Sequence, residues 1–291
     1  MTTERQGTIA TFASRVVPRH FTVTSGRAVL AGVEAGAEEV WGPAVVFLHA
    51  GVADRRMWQQ QVSAFAETYR VVAYDRRGFG ETRYDVERFS HVHDLRALLD
   101  DLQIRKAVLV GCSQGGRVAI DYALTHPGRV AGLFLVAPAV SGQPEPTDYP
   151  PAVAAVVDLL DEAEADEDVE RVNELEAWLW LDGPAREEGR VSGPLRDLFL
   201  EMNGIALRAA DPGEQNPPSG APAYRRLGEL DLPAQVVWGD ADFPHVQQRC
   251  NHLVQALPQA LGTVIAGTAH LPNLEQPALF NHHLAMFLDG L

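Results

Sequence analysis

The stretch Lys106-Ala-Val-Leu-Val-Gly-Cys-Ser-Gln-Gly-Gly-Arg-Val-Ala-Ile-Asp-Tyr-Ala-Leu-Thr-His126 decides how this chain folds. Residues 107–110 form a short apolar run, the mark of a buried parallel strand, and Val118, Ala119, Tyr122 and Ala123 then recur at helical spacing. At the join stands Gly111-Cys112-Ser113-Gln114-Gly115-Gly116, a Gly-x-Ser-x-Gly with one further glycine. A chain that leaves a strand and enters a helix this abruptly forces the serine into a strained backbone conformation, and the flanking glycines remove Cβ atoms that would clash. The serine is pushed out at the carboxyl end of the sheet. Gln114 falls in the first helical turn, so its N–H is an unpaired donor near the Ser113 Oγ, half of an oxyanion site.

Outward from that join the pattern repeats. Residues 20–24 and 27–33 flank Ser25-Gly26 and read as a hairpin. Ala44–Leu48 reads as a buried strand ending in His49-Ala50-Gly51-Val52, followed by a helix over 55–67. Residues 70–74 make the next strand, closed by the turn Asp75-Arg76-Arg77-Gly78-Phe79-Gly80, and residues 91–102 a helix. After the serine helix, which Pro127 stops, Val130–Val136 reads as a strand. The sheet resumes at 234–238, with a helix over 246–257, a strand over 262–265 and a last helix over 278–288. Residues 1–18 show no period. Strands alternating with helices in this way predict an α/β fold: a mostly parallel, doubly wound sheet with an antiparallel start, whose reactive groups gather beyond the strands' carboxyl ends.

Between residues 139 and 224 the alternation stops. Pro144, Pro146, Pro150 and Pro151 open an excursion with three predicted helices and no strand, and Pro212, Pro217, Pro218 and Pro222 close it. We read it as a helical lid, or cap, inserted into a core domain made of residues 1–138 and 225–291. Trp178 and Trp180, with Leu179 and Leu181, are its densest apolar cluster and either pack on the core or contact substrate.

Composition bounds the rest. The 291 residues are 46% apolar and 22% charged, ordinary for a globular chain that buries a sizeable core. The first residues lack a secretory apolar run and no stretch is long and apolar enough to span a bilayer, which predicts a cytoplasmic, non-membrane protein. Two cysteines, Cys112 and Cys250, form no disulfide framework. The net charge of −15 argues against nucleic acid as a partner. Residues 145–188 hold 15 Asp and Glu against Arg171 and Arg186, an acidic outside that disfavours anionic substrates. No Gly-rich dinucleotide or phosphate loop implies a cofactor, and His91, His93, His282 and His283 lie on predicted helices without carboxylates placed to complete a metal site.

A serine hydroxyl is a poor nucleophile at neutral pH; it needs an imidazole to take its proton and a carboxylate to hold that imidazole. Two later strand ends offer them. Trp238-Gly239-Asp240-Ala241-Asp242 follows one strand and Ala266-Gly267-Thr268-Ala269-His270 the last. Spacing alone leaves Asp240 and Asp242 both open as the acid.

With these pieces the chain resembles the α/β-hydrolase superfamily over most of its length. The matching segments are His49-Ala-Gly51 with Trp58, Asp75-x-Arg77-Gly-x-Gly80, Gly111-x-Ser113-x-Gly115-Gly116, Gly239-x-x-Asp242 and His270-x-x-x-x-Glu275-x-Pro277. The resemblance implies Ser113 as nucleophile, His270 as general base and acid, Asp242 as the orienting carboxylate, and backbone N–H groups near Gly51 and Gln114 as the oxyanion hole. Where the family commonly has His-Gly, this chain has His49-Ala50. Asp75 and Arg77 read as a structural turn. The expected activity is cofactor-free, metal-free hydrolysis of a small carboxylic ester or lactone. Carbon–carbon bond hydrolases, amidases, cofactor-free haloperoxidases and binding-only receptors use the same residues.

Overall fold

The computed structural model describes residues 16–36, 42–144, 146, 148–217 and 220–291. Residues 1–15, most of the segment without a period, and Pro218 lie outside the described residues. The opening hairpin forms as its alternation predicts: β1 (Arg19–Ser25) pairs antiparallel with β2 (Ala28–Ala35) around Gly26. The core then alternates through β3 (Ala44–Leu48), a 3-10 turn Arg55–Trp58 running into α1 (Gln59–Phe65), β4 (Val71–Tyr74), a two-residue β5 (Arg83–Tyr84), α2 (His91–Asp101), β6 (Ala107–Cys112), α3 (Gln114–Thr125) and β7 (Val130–Val136). The chain returns after its excursion as described below.

The excursion carries α4 (Pro151–Ala165), α5 (Val169–Ala177) and α6 (Pro194–Leu207), with no named strand among the described residues. Helix starts follow their sequence signals. Proline occupies the first position of α4 and α6, and Asp168 caps α5 by accepting from the Arg171 N–H at 3.0 Å. The helical spacing of Val169, Val172, Leu175 and Leu179 predicts a second helix that reaches Leu179, but its α form ends at Ala177. At Trp178 it widens to a π-helical turn, Trp178–Asp182, the kind of bulge that re-aims side chains at functional sites.

The core resumes with β8 (Ala234–Gly239), α7 (Pro244–Ala256), β9 (Ala260–Ile265), the single turn α8 (Pro272–Glu275) and α9 (Pro277–Asp289). Strand order is β1-β2-β4-β3-β6-β7-β8-β9, with β5 on β2; β3, β4 and β6 to β9 are parallel. Period two divides the strands between two cores. Val46, Leu48, Leu109 and Leu135 face α2, α3 and α7 through Leu95, Leu99, Val118, Tyr122, Val246 and Leu253. Val45, Phe47, Val108 and Val110 face α1 and α9 through Val62, Phe280 and Leu284, with Trp58 among them. This is the doubly wound arrangement, and it aims the ends of β3, β6, β8 and β9 at one edge. Among the described residues no helix is long and apolar enough to cross a membrane.

Candidate active site

Ser113 sits between β6 and α3 with φ +51° and ψ −116°, outside the regions open to residues with a Cβ. The turn is pinned on both sides. Ser113 N–H donates to the Val136 carbonyl at 2.9 Å, and the Ser113 carbonyl accepts from Ala139 and Arg117 at 3.0 and 3.1 Å. The sharp entry also requires Gly115: a Cβ there would lie 2.2 Å from the Leu48 carbonyl oxygen. Helix α3 therefore starts hard against the end of β3, where Gly51 waits. A Cβ on Gly51 would lie 2.4 Å from Gln114 Nε2, so the structure brings Gly51 and Gln114 into contact.

At the far side, Gly239 ends β8 in a similarly close approach, since a Cβ there would meet the Thr268 and Ala269 carbonyl oxygens at 2.1 and 2.2 Å. That approach joins the turn after β8 to the loop after β9. His270 and Asp242, both buried, meet there, with Nδ1 to Oδ2 at 2.7 Å. The second Asp242 oxygen accepts from the Phe243 N–H at 2.7 Å. Of the two aspartates left open by spacing, it is Asp242 that touches the imidazole. Asp240 is exposed and accepts instead from the Gly267 N–H at 2.7 Å, holding the loop's shape. With Nδ1 on the carboxylate, His270 turns Nε2 away from it, and that atom is buried with no hydrogen-bond partner among the described residues. Cys112, the residue before Ser113, touches the same loop: its Sγ lies 3.8 Å from the His270 carbonyl oxygen, and burial pushes its thiol well up.

The two tryptophans part company. Trp180 lies over His270 with ring centroids 4.6 Å apart and over Phe243 at 4.7 Å. Trp178 donates its indole N–H to the Arg186 carbonyl at 2.8 Å, within the excursion. A cavity of about 620 Å³ lies beyond Phe243, lined by Tyr149, Tyr224, His245, Gln248 and His252 among others; none of Ser113, Asp242 and His270 lines it. His245 there has its imidazole pulled down to about 4, first by burial and then by Arg249.

Two features around the site escape sequence reasoning. Asp182, fully buried in the π-turn, accepts from the Gly189 and Val191 N–H groups at 2.8 and 2.7 Å and from Arg196 at 2.7 Å. Arg190 donates to the Leu181 and Asp182 carbonyls, to Gly267 at 3.0 Å and to Glu275 at 2.5 Å, and Glu275 accepts from the Ala269 N–H at 2.7 Å. The excursion is thus tied to both sides of the histidine loop. The other is Arg76, buried beneath His49 and Gln114. The turn residues Asp75 and Arg77 are structural, as expected: Asp75 accepts from the Arg55 and Glu81 N–H groups, and Arg77 grips Asp94 with two hydrogen bonds of 2.9 and 3.0 Å.

Comparison with known proteins places the fold that carries this site. A family profile described as alpha/beta hydrolase fold matches residues 43–277. A 2-hydroxy-6-oxononadienedioate/2-hydroxy-6-oxononatrienedioate hydrolase of Paraburkholderia phymatum is 29% identical over 256 residues, 84% of this chain and 86% of its own length. A 3-oxoadipate enol-lactonase 2 of Acinetobacter baylyi is 26% identical over 82% of this chain and 86% of its own. The crystal structure of carboxylesterase CesB from Bacillus subtilis, 20% identical, shares the fold with a TM-score of 0.72, covering 95% of this chain and 93% of that one. With a profile that spans both the serine turn and the histidine loop, the chain belongs to the α/β-hydrolase fold family and is a hydrolase.

Proposed function

We propose that the protein is a serine hydrolase of a small carboxylic ester or lactone, with Ser113, His270 and Asp242 as its triad. The observation that carries this reading is the 2.7 Å contact between Asp242 and His270, with the opposite imidazole nitrogen buried and unpartnered in a loop that touches the residue before Ser113. Asp242 holds the tautomer with the proton on Nδ1 and leaves Nε2 as the base. Ser113 Oγ bonds to the carbonyl carbon as its proton passes to Nε2, and the carbonyl electrons move to oxygen. The Gly51 and Gln114 N–H groups receive that oxyanion, worth about 3–4 kcal/mol per well-placed donor. The imidazolium then protonates the departing alkoxide, leaving an acyl-serine. Water attacks next, giving its proton to Nε2, and Ser113 leaves with that proton as the carboxylic acid is released.

Residues 139–224 act as the lid, with Trp180 the side chain it lends to the reacting centre. A second reading, carbon–carbon bond hydrolysis, is favoured by the relatives that act on 2-hydroxy-6-oxononadienedioate. The excess of acidic residues over 145–188 weighs against a dianion of that kind and ranks a neutral ester or lactone first. The test is a panel of chromogenic esters and lactones of graded acyl length, with a 2-hydroxy-6-oxo-dienoate beside them, read on wild type and Ser113→Ala. Wild type gives an acyl-enzyme burst with one of the neutral substrates, and Ser113→Ala gives none. A turnover that survives in Ser113→Ala above a tenth of wild type sinks the serine mechanism, and turnover of the dienoate alone exchanges the first reading for the second.

A further inference from the structure

Arg76 is 1% exposed, yet no carboxylate pairs with it among the described residues. Its neighbours in sequence behave otherwise, since Asp75 and Arg77 both have ionic partners. One terminal nitrogen of Arg76 donates to the His49 and Ala50 carbonyl oxygens at 3.2 and 3.1 Å, and the other to Gln114 Oε1 at 3.1 Å. The Phe79 ring lies 4.7 Å from its Cζ, and Nε has no partner. Carbonyl oxygens and an aromatic face hold a cation without cancelling its charge. An isolated buried charge is costly in a fold, and groups of this kind cluster at functional sites.

The partners of that guanidinium are the two segments proposed to stabilise the oxyanion. A peptide unit joins the carbonyl of one residue to the N–H of the next, so the Ala50 carbonyl and the Gly51 N–H are two ends of one conjugated group. The Ala50 oxygen accepts twice, from Arg76 at 3.1 Å and from His49 Nδ1 at 2.7 Å. The His49 tautomer follows from its other nitrogen, which accepts from the Arg76 N–H at 3.0 Å, and burial holds this imidazole neutral by lowering it well below its ordinary range. Donors on the oxygen end of an amide polarise it and strengthen the donor at its nitrogen end, by roughly 10–30% per bond. The second link is steric. Arg76 holds the Gln114 side chain, and that side chain lies on Gly51, closing a triangle of Arg76, Gln114 and Gly51.

We propose that Arg76 is a positioning residue of the oxyanion site: it polarises the Ala50–Gly51 peptide and fixes that peptide against the start of α3. This rests on the serine reading above, since Arg76 acts only through the donors of that mechanism. The contrasting role is structural support of the loop alone. The two differ in what the site tells apart. Replacing the carbonyl oxygen of an ester by sulfur weakens its acceptance of hydrogen bonds, so loss of oxyanion stabilisation penalises the ester more than the thionoester, whereas a fold defect penalises both alike.

The experiment measures kcat and KM for a chromogenic ester and its thionoester on purified full-length wild type, Arg76→Met and Arg76→Lys, with Ser113→Ala in parallel. Inhibition by a trifluoromethyl ketone is measured as well; Ser113 Oγ adds to its carbonyl carbon, His270 takes the hydroxyl proton, and the oxygen becomes an anion. Arg76→Met is expected to lower ester kcat about 10- to 100-fold with KM changed less than about threefold, to lower the ester-to-thionoester ratio about tenfold, and to weaken the ketone in parallel. Arg76→Lys, which keeps the charge but not the fork, recovers part of each loss. A folded Arg76→Met with the wild-type ratio overturns the proposal. If only Arg76→Lys folds, its ratio decides in the same way; if neither folds, Arg76 is a folding residue and the proposal falls. Inactive Ser113→Ala beside an unchanged ratio defeats this inference alone, while active Ser113→Ala defeats the serine reading itself.

Discussion

Trp180 is bound to His270 twice: its indole lies 4.6 Å from the imidazole, centroid to centroid, and its carbonyl oxygen accepts the His270 backbone N–H at 3.2 Å. The backbone bond survives any substitution at position 180, so side-chain variants isolate the ring. Trp180→Ala is expected to cost roughly 2–4 kcal/mol of stability and to raise KM about tenfold, and Trp180→Phe to recover most of both. Urea denaturation and steady-state kinetics on a neutral ester check this. An unchanged KM in a folded Trp180→Ala would restrict the ring to packing.

Asp242→Asn preserves shape but presents an amide to His270 Nδ1 and favours the wrong tautomer. On the proposed triad, a loss on the order of 10⁴ in kcat is expected. Asp240→Asn keeps an oxygen for the Gly267 N–H and changes kcat less than about tenfold. The pair of kinetic measurements separates them, and comparable losses would mean that the loop held by Asp240 is itself part of the histidine's support.

Removing the carboxylate of Asp182 leaves two N–H groups and the Arg196 guanidinium without their shared acceptor. Breaking a buried pair of this kind costs about 3–5 kcal/mol. Asp182→Ala is therefore expected to loosen the π-turn and with it Trp180. Limited proteolysis should cut first within residues 183–193. Cleavage confined to other segments would show that the turn holds without this knot.

Acid weakens the fold from the histidines. Burial holds His49 and His91 well below their ordinary range and His245 at about 4. An unfolded histidine titrates near 6.5, so between about pH 6.5 and 4 the unfolded chain binds more protons and stability falls as pH falls. Asp75, raised to about 6 by burial despite Arg55, works in the opposite sense, as do Asp121, Glu176 and Glu275, which burial also raises, and together they blunt the slope. Urea midpoints taken from pH 7 to 4.5 should decline, less steeply in His245→Gln. A flat or rising profile contradicts the assignment.

What could be read in the sequence followed from periodicity and from residues whose chemistry needs a particular turn. The strand Val130–Val136 was legible as a short continuous apolar run, buried on both faces, and the join at Ser113 because an apolar run gives way there to helical spacing across glycines that permit the sharp turn. The two-residue β5 and the single turn α8 are too short to show a period. The π-turn was invisible because Trp178 to Leu181 fits a continuing helix equally well; only packing on His270 and the Asp182 knot select the wider winding. Asp240 and Asp242 could not be separated by spacing, since the choice depends on how close Gly239 comes to the loop after β9. Nothing local in Asp75-Arg76-Arg77 distinguishes the arginine that is buried without a counter-ion from the one that has carboxylate partners.

The backbone of Ser113, at φ +51° and ψ −116°, has a further consequence for how the molecule fails. Such a conformation is disfavoured by roughly 1–3 kcal/mol and exists only because β6, β7 and α3 hold the turn from both sides. The serine is like a catch under spring tension, and a catch slips before the frame that holds it breaks. On the serine reading, warming is expected to relax this turn while the sheet is still intact, so that hydrolytic activity, followed beside far-ultraviolet circular dichroism, is lost at a lower temperature than helical structure. Ser113→Gly, free of that tension, is expected to melt no earlier than wild type and, on the serine reading, to be inactive.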